Sequence, residues 1–159
     1  MFNDEIRDRV RRSVLCWLAT ADASGQPNVS PKEVFALVGE NKLVIAHIAS
    51  PVSVANIRQQ PKVCVSCVDI FEQRGVKLVG SARVVDPMHA DFAALAEPLF
   101  AQTRGVFPIR AVIEVSVASV HAIVAPSYRL VPGTTPATQE AAALRTYGVV
   151  RAHTGQALR

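Results

Sequence analysis

The chain has 159 residues, the size of one ordinary domain. Half of the residues are hydrophobic and 19% are charged, at a mean hydropathy of +0.24. That balance excludes intrinsic disorder and supports a full core without disulfide or metal staples. Seventeen Lys and Arg against 13 Asp and Glu give a net charge of +4, which suits an anionic small molecule better than a duplex, so no nucleic-acid partner is expected.

The one local cluster of charge, Arg7, Arg9, Arg11 and Arg12, reads as the solvated face of an opening helix. Three cysteines fit a reducing cytoplasm better than a disulfide framework. No export signal is visible at the acidic start. The longest apolar run, residues 111–126, is broken by Glu114, Ser116, Ser119 and His121 and is too short for a bilayer span. The expectation is a cytoplasmic protein that does not enter a membrane.

Asn3, followed by Ile6, Val10 and Val14 at near-helical spacing, predicts a short capped helix. Residues 14–20 are apolar or small at both parities, which predicts a strand covered on both faces. After the turn Asp22-Ala23-Ser24-Gly25, residues 28–38 form a second strand containing Pro31. Gly39-Glu40-Asn41 turns it into a third, residues 43–48. Ser50 as cap and Pro51 as first residue then start a helix of about three turns that ends before Pro61.

Residues 62–69 are a fourth strand, again apolar at both parities, and residues 76–85 alternate as a fifth, one-sided strand. Asp86-Pro87 opens a helix through Phe92, Leu95, Ala96, Leu99 and Phe100. Residues 111–124 make a sixth strand whose alternation changes phase after Val117. A β-bulge or bend at a barrel corner leaves that trace, and so does a strand buried on both faces. A last helix, capped by Thr135, runs from Pro136 to Tyr147 before Gly148, and no periodicity follows it. Six strands joined mainly by hairpins, without repeated strand-helix alternation, predict a small antiparallel barrel with flanking helices rather than a doubly wound sheet.

The chain carries no G-x-G-x-x-G, P-loop, H-E-x-x-H or G-x-S-x-G pattern. Cys64 and Cys67 spell C-x-x-C inside a strand, where residues three apart face opposite ways, so they read as packed thiols. His47, His89, His121 and His153 lack ligand spacing, and no metal site is expected. The informative stretch is residues 46–56, where a strand runs straight into a helix whose first turn carries Ser50 and Ser53 and little bulk. Free N–H groups, the helix dipole and two hydroxyls there suit a phosphate, and the same residues also make an ordinary helix cap.

Three segments together carry a family resemblance: Leu18-Ala19-Thr20 with Gly25-Gln26-Pro27-Asn28-Val29-Ser30-Pro31-Lys32-Glu33-Val34; Ala49-Ser50-Pro51 with Asn56-Ile57 and Pro61-Lys62-Val63-Cys64-Val65; and Val79-Gly80-Ser81-Ala82. In their order and separation they resemble the pyridoxamine 5'-phosphate oxidase-like flavoproteins of the small stand-alone type. The resemblance implies a mainly β fold, a six-stranded antiparallel FMN-binding split barrel of Greek-key type over residues 1–125. Residues 126–159 would be a tail with one short helix in the same domain.

It also implies FMN as cofactor in a groove at the interface of a homodimer, with a small-molecule substrate and two-electron flavin chemistry. The phosphate would be held by Ser30 and Lys32 and by Ser50, Ser53 and Asn56. Ala46, His47 and Ile48 would pass along the isoalloxazine, and Gly75 and Lys77 would approach its far edge. Many relatives carry a basic residue where this chain has Val52 or Ser53, which leaves Lys32 as the cation of the grip. The Arg-rich C-terminal motif of the vitamin B6 oxidases is missing, so the resemblance leaves the substrate and the catalytic residues unassigned. A deazaflavin-dependent reductase and a non-catalytic flavin- or haem-binding module are the alternative readings on this fold.

Dimerisation has a second motivation in the strands. Those at residues 14–20 and 62–69 are apolar at both parities, and a small barrel has only one inside.

Overall fold

The computed structural model describes residues 1–151. Seven strands form one antiparallel sheet: β1 (Cys16–Ala21), β2 (Pro27–Lys32), β3 (Phe35–Val38), β4 (Lys42–His47), β5 (Lys62–Asp69), β6 (Arg74–Val85) and β7 (Ala111–Val124). Their order across the sheet is β2-β1-β5-β6-β7-β4-β3. The edge strands β2 and β3 are neighbours in the chain, joined only by Glu33 and Val34. Three residue steps reach at most about 10 Å, whereas six inter-strand gaps laid flat would separate those edges by about 29 Å. The sheet therefore has to curl until its edges meet, which is the split barrel.

The strand expected at residues 28–38 is two strands, making seven rather than six. Pro31 is not the break, for it pairs with Trp17 inside β2. The chain bends at Glu33-Val34, where it passes from one edge of the sheet to the other, and the Val34 carbonyl accepts the Ala46 N–H at 2.9 Å. The phase change in β7 is a bulge. Val79 pairs with Ser119 and Gly80 with Val117, which leaves Ala118 unmatched. Gly80 sits beside it, and a Cβ there would lie 2.1 Å from the Ser116 carbonyl oxygen.

The barrel interior is filled by Leu18, Leu43, Ile45, Val65, Leu78, Ile113 and Val115. A second cluster lies under helix α3 (Phe92–Thr103), where Val44, Ala46 and Val112 meet Leu95, Ala96 and Leu99. That helix begins later than expected, because Asp86-Pro87 makes a turn closed by the His89 N–H on the Asp86 carbonyl. Helix α1 (Asp4–Arg12) is capped by the Asn3 side chain and stops short of Val14, which is 83% exposed.

The arginines of α1 are not all solvated. Arg9 and Arg12 turn to the β5–β6 turn and pair with the buried carboxylates of Asp69 and Glu72. Helix α2 (Pro51–Gln59) packs on β1, β2 and β6. A short helix, α4 (Ser127–Leu130), and the capped α5 (Pro136–Tyr147) follow the barrel. The Tyr128 hydroxyl on the Glu72 carbonyl and an edge-to-face contact of Tyr147 with Phe71 tie them to it. Among the described residues no helix is long and apolar enough to cross a membrane; His153 lies outside them.

Cys67 is fully buried in the barrel opposite Cys16 of β1, while Cys64 is half-buried on the other face of β5. Contact with the Cys67 thiol, together with burial, holds Cys16 protonated far above the ordinary range.

Because a side chain at residue 80 would strike backbone at the bulge, Gly80→Ala is expected to cost about 2–3 kcal/mol in urea unfolding, with Ser81→Ala close to neutral. Equal stability of Gly80→Ala and the parent would contradict this packing.

Candidate functional site

Alternate residues of β2, Asn28, Ser30 and Lys32, point to the start of α2 and meet Ser50, its N-cap residue, and Ser53. The Lys32 ammonium donates to Ser50 Oγ at 2.5 Å and Ser30 Oγ at 2.7 Å. Ser30 and Ser53 hydroxyls lie 3.0 Å apart. Asn28 Nδ2 donates to Ser53 Oγ at 3.5 Å and to Thr20 Oγ1 at 3.3 Å, and Asn56 Nδ2 reaches the same Thr20 oxygen at 3.1 Å. Five of the residues expected at the phosphate, Ser30, Lys32, Ser50, Ser53 and Asn56, thus belong to one hydrogen-bonded cluster. Asn28 and Thr20 belong to it as well and escaped the sequence reading. The period-2 row running back from Lys32 carries the signal for Asn28.

Lys32 is only 5% exposed, and among the described residues no carboxylate pairs with it. Burial lowers its pKa from the ordinary 10.5. A buried ammonium balanced only by hydroxyl dipoles leaves most of its desolvation cost uncompensated.

Ser50 occupies the N-cap position of α2, yet its side chain makes no capping bond; its Oγ is engaged by Lys32 instead. The first helical N–H groups, those of Val52 and Ser53, therefore keep their electropositive ends without a side-chain cap. The Ser50 N–H donates to His47 Nδ1 at 3.4 Å, so the ring carries its proton on Nε2. Burial and the nearby Lys32 and Arg110 charges hold His47 below its usual pKa, in the neutral form this bond requires.

Lys32 and Ser50 line a cavity of about 290 Å³ together with Ala46, Ile48, Ala49 and Phe107. Ala46 and Ile48, two of the residues expected beside the ring, line this cavity with Lys32. His47 touches Ser50 but does not line the cavity. Gly75 and Lys77 are elsewhere in the chain. Gly75 lines a separate cavity beside Asn3 and Arg74, and Lys77 stands on β6 between Ser66 and His121. Gly75 has a packing reason as well, since a Cβ there would lie 2.0 Å from the Cys67 carbonyl oxygen.

A curled, mainly β sheet flanked by helices, with the buried Lys32 and the N-cap residue of α2 on one cavity, defines a small split-barrel protein. A pyridoxamine 5'-phosphate oxidase family model matches residues 2–124, and the chain belongs to that family. Among solved structures it is similar to HupZ of Group A Streptococcus at 25% identity, covering 76% of this chain and 92% of that one with a TM-score of 0.66. An FMN-binding protein from Syntrophomonas wolfei shares the fold at 14% identity, 76% and 90% coverage and a TM-score of 0.61. So does HutZ, a haem storage protein from Vibrio cholerae, at 19% identity, 76% and 92% coverage and a TM-score of 0.59. No curated protein matches the sequence itself.

If Lys32 is retained for an anion rather than for the fold, Lys32→Met stabilises the ligand-free protein by about 1–3 kcal/mol. A lowered folded pKa means that the unfolded chain binds more protons in the window below 10.5, so parent stability rises with pH there and Lys32→Met loses that rise. Chemical unfolding between neutral pH and that window measures both; a destabilised variant would make Lys32 a structural residue.

Proposed function

We propose that the protein is an FMN-binding flavoprotein that carries out two-electron oxidoreduction on a small substrate. The observation that carries this reading is the buried Lys32 ammonium, with no carboxylate partner among the described residues, facing the uncapped start of α2. The residues present suit a phosphate monoester. One cation, the Ser50 hydroxyl and two backbone N–H groups would offer donors on several sides, which a dianion with three terminal oxygens can accept.

Bound flavin supplies hydride chemistry at its ring; the chain's part is to bind, orient and exclude water. Lys32 and Ser50 would hold the phosphate, with Ser30 fixing the ammonium and Ser53 fixing Ser30. Thr20, Asn28 and Asn56 brace that cluster from β1, β2 and α2, so the grip is organised before a ligand arrives. Ala46 and Ile48 would give the ring an apolar edge.

The active form we propose is a homodimer. Trp17 is 44% exposed on the outer face of β1, with exposed Val29 on β2 and half-buried Val68 on β5 on the same face. A second copy would cover that apolar surface and could bring Gly75 and Lys77 of its own β6 toward the ring.

The phosphate assignment is tested by titrating FMN and riboflavin into the parent and Lys32→Ala. A charge-assisted contact of this kind is worth about 1.5–3 kcal/mol, so FMN should bind tenfold to a hundredfold more weakly to the variant while riboflavin is nearly unaffected. Equal losses for both ligands would mean that Lys32 acts through the fold or the ring, and the assignment fails.

A further inference from the structure

Phe107 is an exposed aromatic held in place. It stands between α3 and β7 on a segment fixed at both ends. Arg104 and Gly105 take left-handed backbone at φ 48° and 73° directly after α3, and the Val106 N–H returns to the Thr103 carbonyl at 2.9 Å. On the other side Ile109 packs into the cluster under α3, and the Arg110 N–H donates to the His47 carbonyl at 2.9 Å. Neither anchor buries the ring, which remains 50% exposed. Its neighbour Val106 is more exposed still and lines none of the cavities described above, whereas Phe107 lines the one floored by Lys32 and Ser50. It also lines a second cavity, of about 440 Å³, together with Val14 and Arg104, and with Glu33 and Val34 it forms the border shared by the two.

An aromatic side chain left half in water gives up hydrophobic stabilisation that burial would supply. Two fixed ends and a shared wall with the anion site give this exposure a purpose. Pro31, Val34, Ala46, Ile48 and Ala49, the other apolar members of that cavity, are not aromatic and can only border a planar ligand. Phe107 offers the one aromatic face there, and offset stacking needs such a face.

We propose that Phe107 is the stacking wall for the planar heteroaromatic ring of the phosphorylated cofactor, and so determines which ring the site accepts once Lys32 has engaged the phosphate. The inference rests on the FMN reading above and adds to it a residue outside the resemblance.

Its test titrates the parent, Phe107→Ala and Phe107→Trp with FMN and, separately, with inorganic phosphate. Phe107→Ala should bind FMN about tenfold more weakly and phosphate as the parent does. Phe107→Trp should hold FMN within about threefold of the parent and quench the flavin emission further, because a stacked indole is an electron donor to the excited ring. Unchanged FMN affinity in Phe107→Ala overturns the proposal, and so does a parallel loss of FMN and phosphate. Parent-level emission in Phe107→Trp overturns it as well. Failure of the underlying reading is distinguishable: Lys32→Ala would then bind FMN as well as the parent whatever stands at residue 107, and a parent that takes up no FMN removes both.

Discussion

A lysine ammonium placed among serine hydroxyls at the start of a helix, with no carboxylate among the described residues to balance it, is the interaction on which the rest of the structure turns. Burying that charge is costly, and the fold accepts the cost at one place while pairing its other buried charges fully. Glu114, buried in β7, is held by Lys42 and Arg83, and burial alone would raise its pKa, yet those two cations hold it below the ordinary carboxylate range. Glu72 has Arg9 and Arg12. Set beside these pairs, Lys32 stands out as a buried cation with no carboxylate partner among the described residues.

Barrel closure is what puts Lys32 there. It is the last residue of β2, one edge of the sheet, and the two-residue link to β3 forces that edge to meet the other. The curl turns the inward row of β2 toward the space that α2 must fill on its way from β4 to β5. Because the facing residues include Thr20, Asn28, Ser30, Ser53 and Asn56, the helix docks through a hydrogen-bonded cluster as well as an apolar seam, with Val54 and Ile57 beside them on the same buried face entering the barrel core. The directional bonds hold Lys32, Ser50 and Ser30 in one arrangement, which an apolar seam would not impose.

Much of this was legible in the sequence because it depends on local rules. Caps at Asn3 and Thr135, the Ser50-Pro51 start of α2 and the alternation along the middle of β6 are properties of neighbouring residues, and the structure has each element there. Even the bulge left its mark, as a parity change after Val117. What sequence reasoning missed depends on distant partners. The division of residues 28–38 reflects closure of the sheet, which no window around Glu33 contains. Pairing of Arg9 and Arg12 with Asp69 and Glu72 joins residues some 60 positions apart, and the diversion of Ser50 Oγ from helix cap to Lys32 requires knowing where β2 runs. Phe107, in a segment with no periodicity, gave no local signal at all.

The central claim, that this cluster exists to hold a phosphate dianion, is tested most directly by following the ³¹P resonance of FMN bound to the protein as pH is lowered. A free phosphate monoester takes up its proton near pH ~6. Beside the Lys32 ammonium and the N–H groups of α2 the dianion is favoured, so the bound resonance should stay at its dianionic position well below that pH. A bound phosphate that titrates at the same pH as free FMN would contradict the account, because the charge it needs would then not be reaching it.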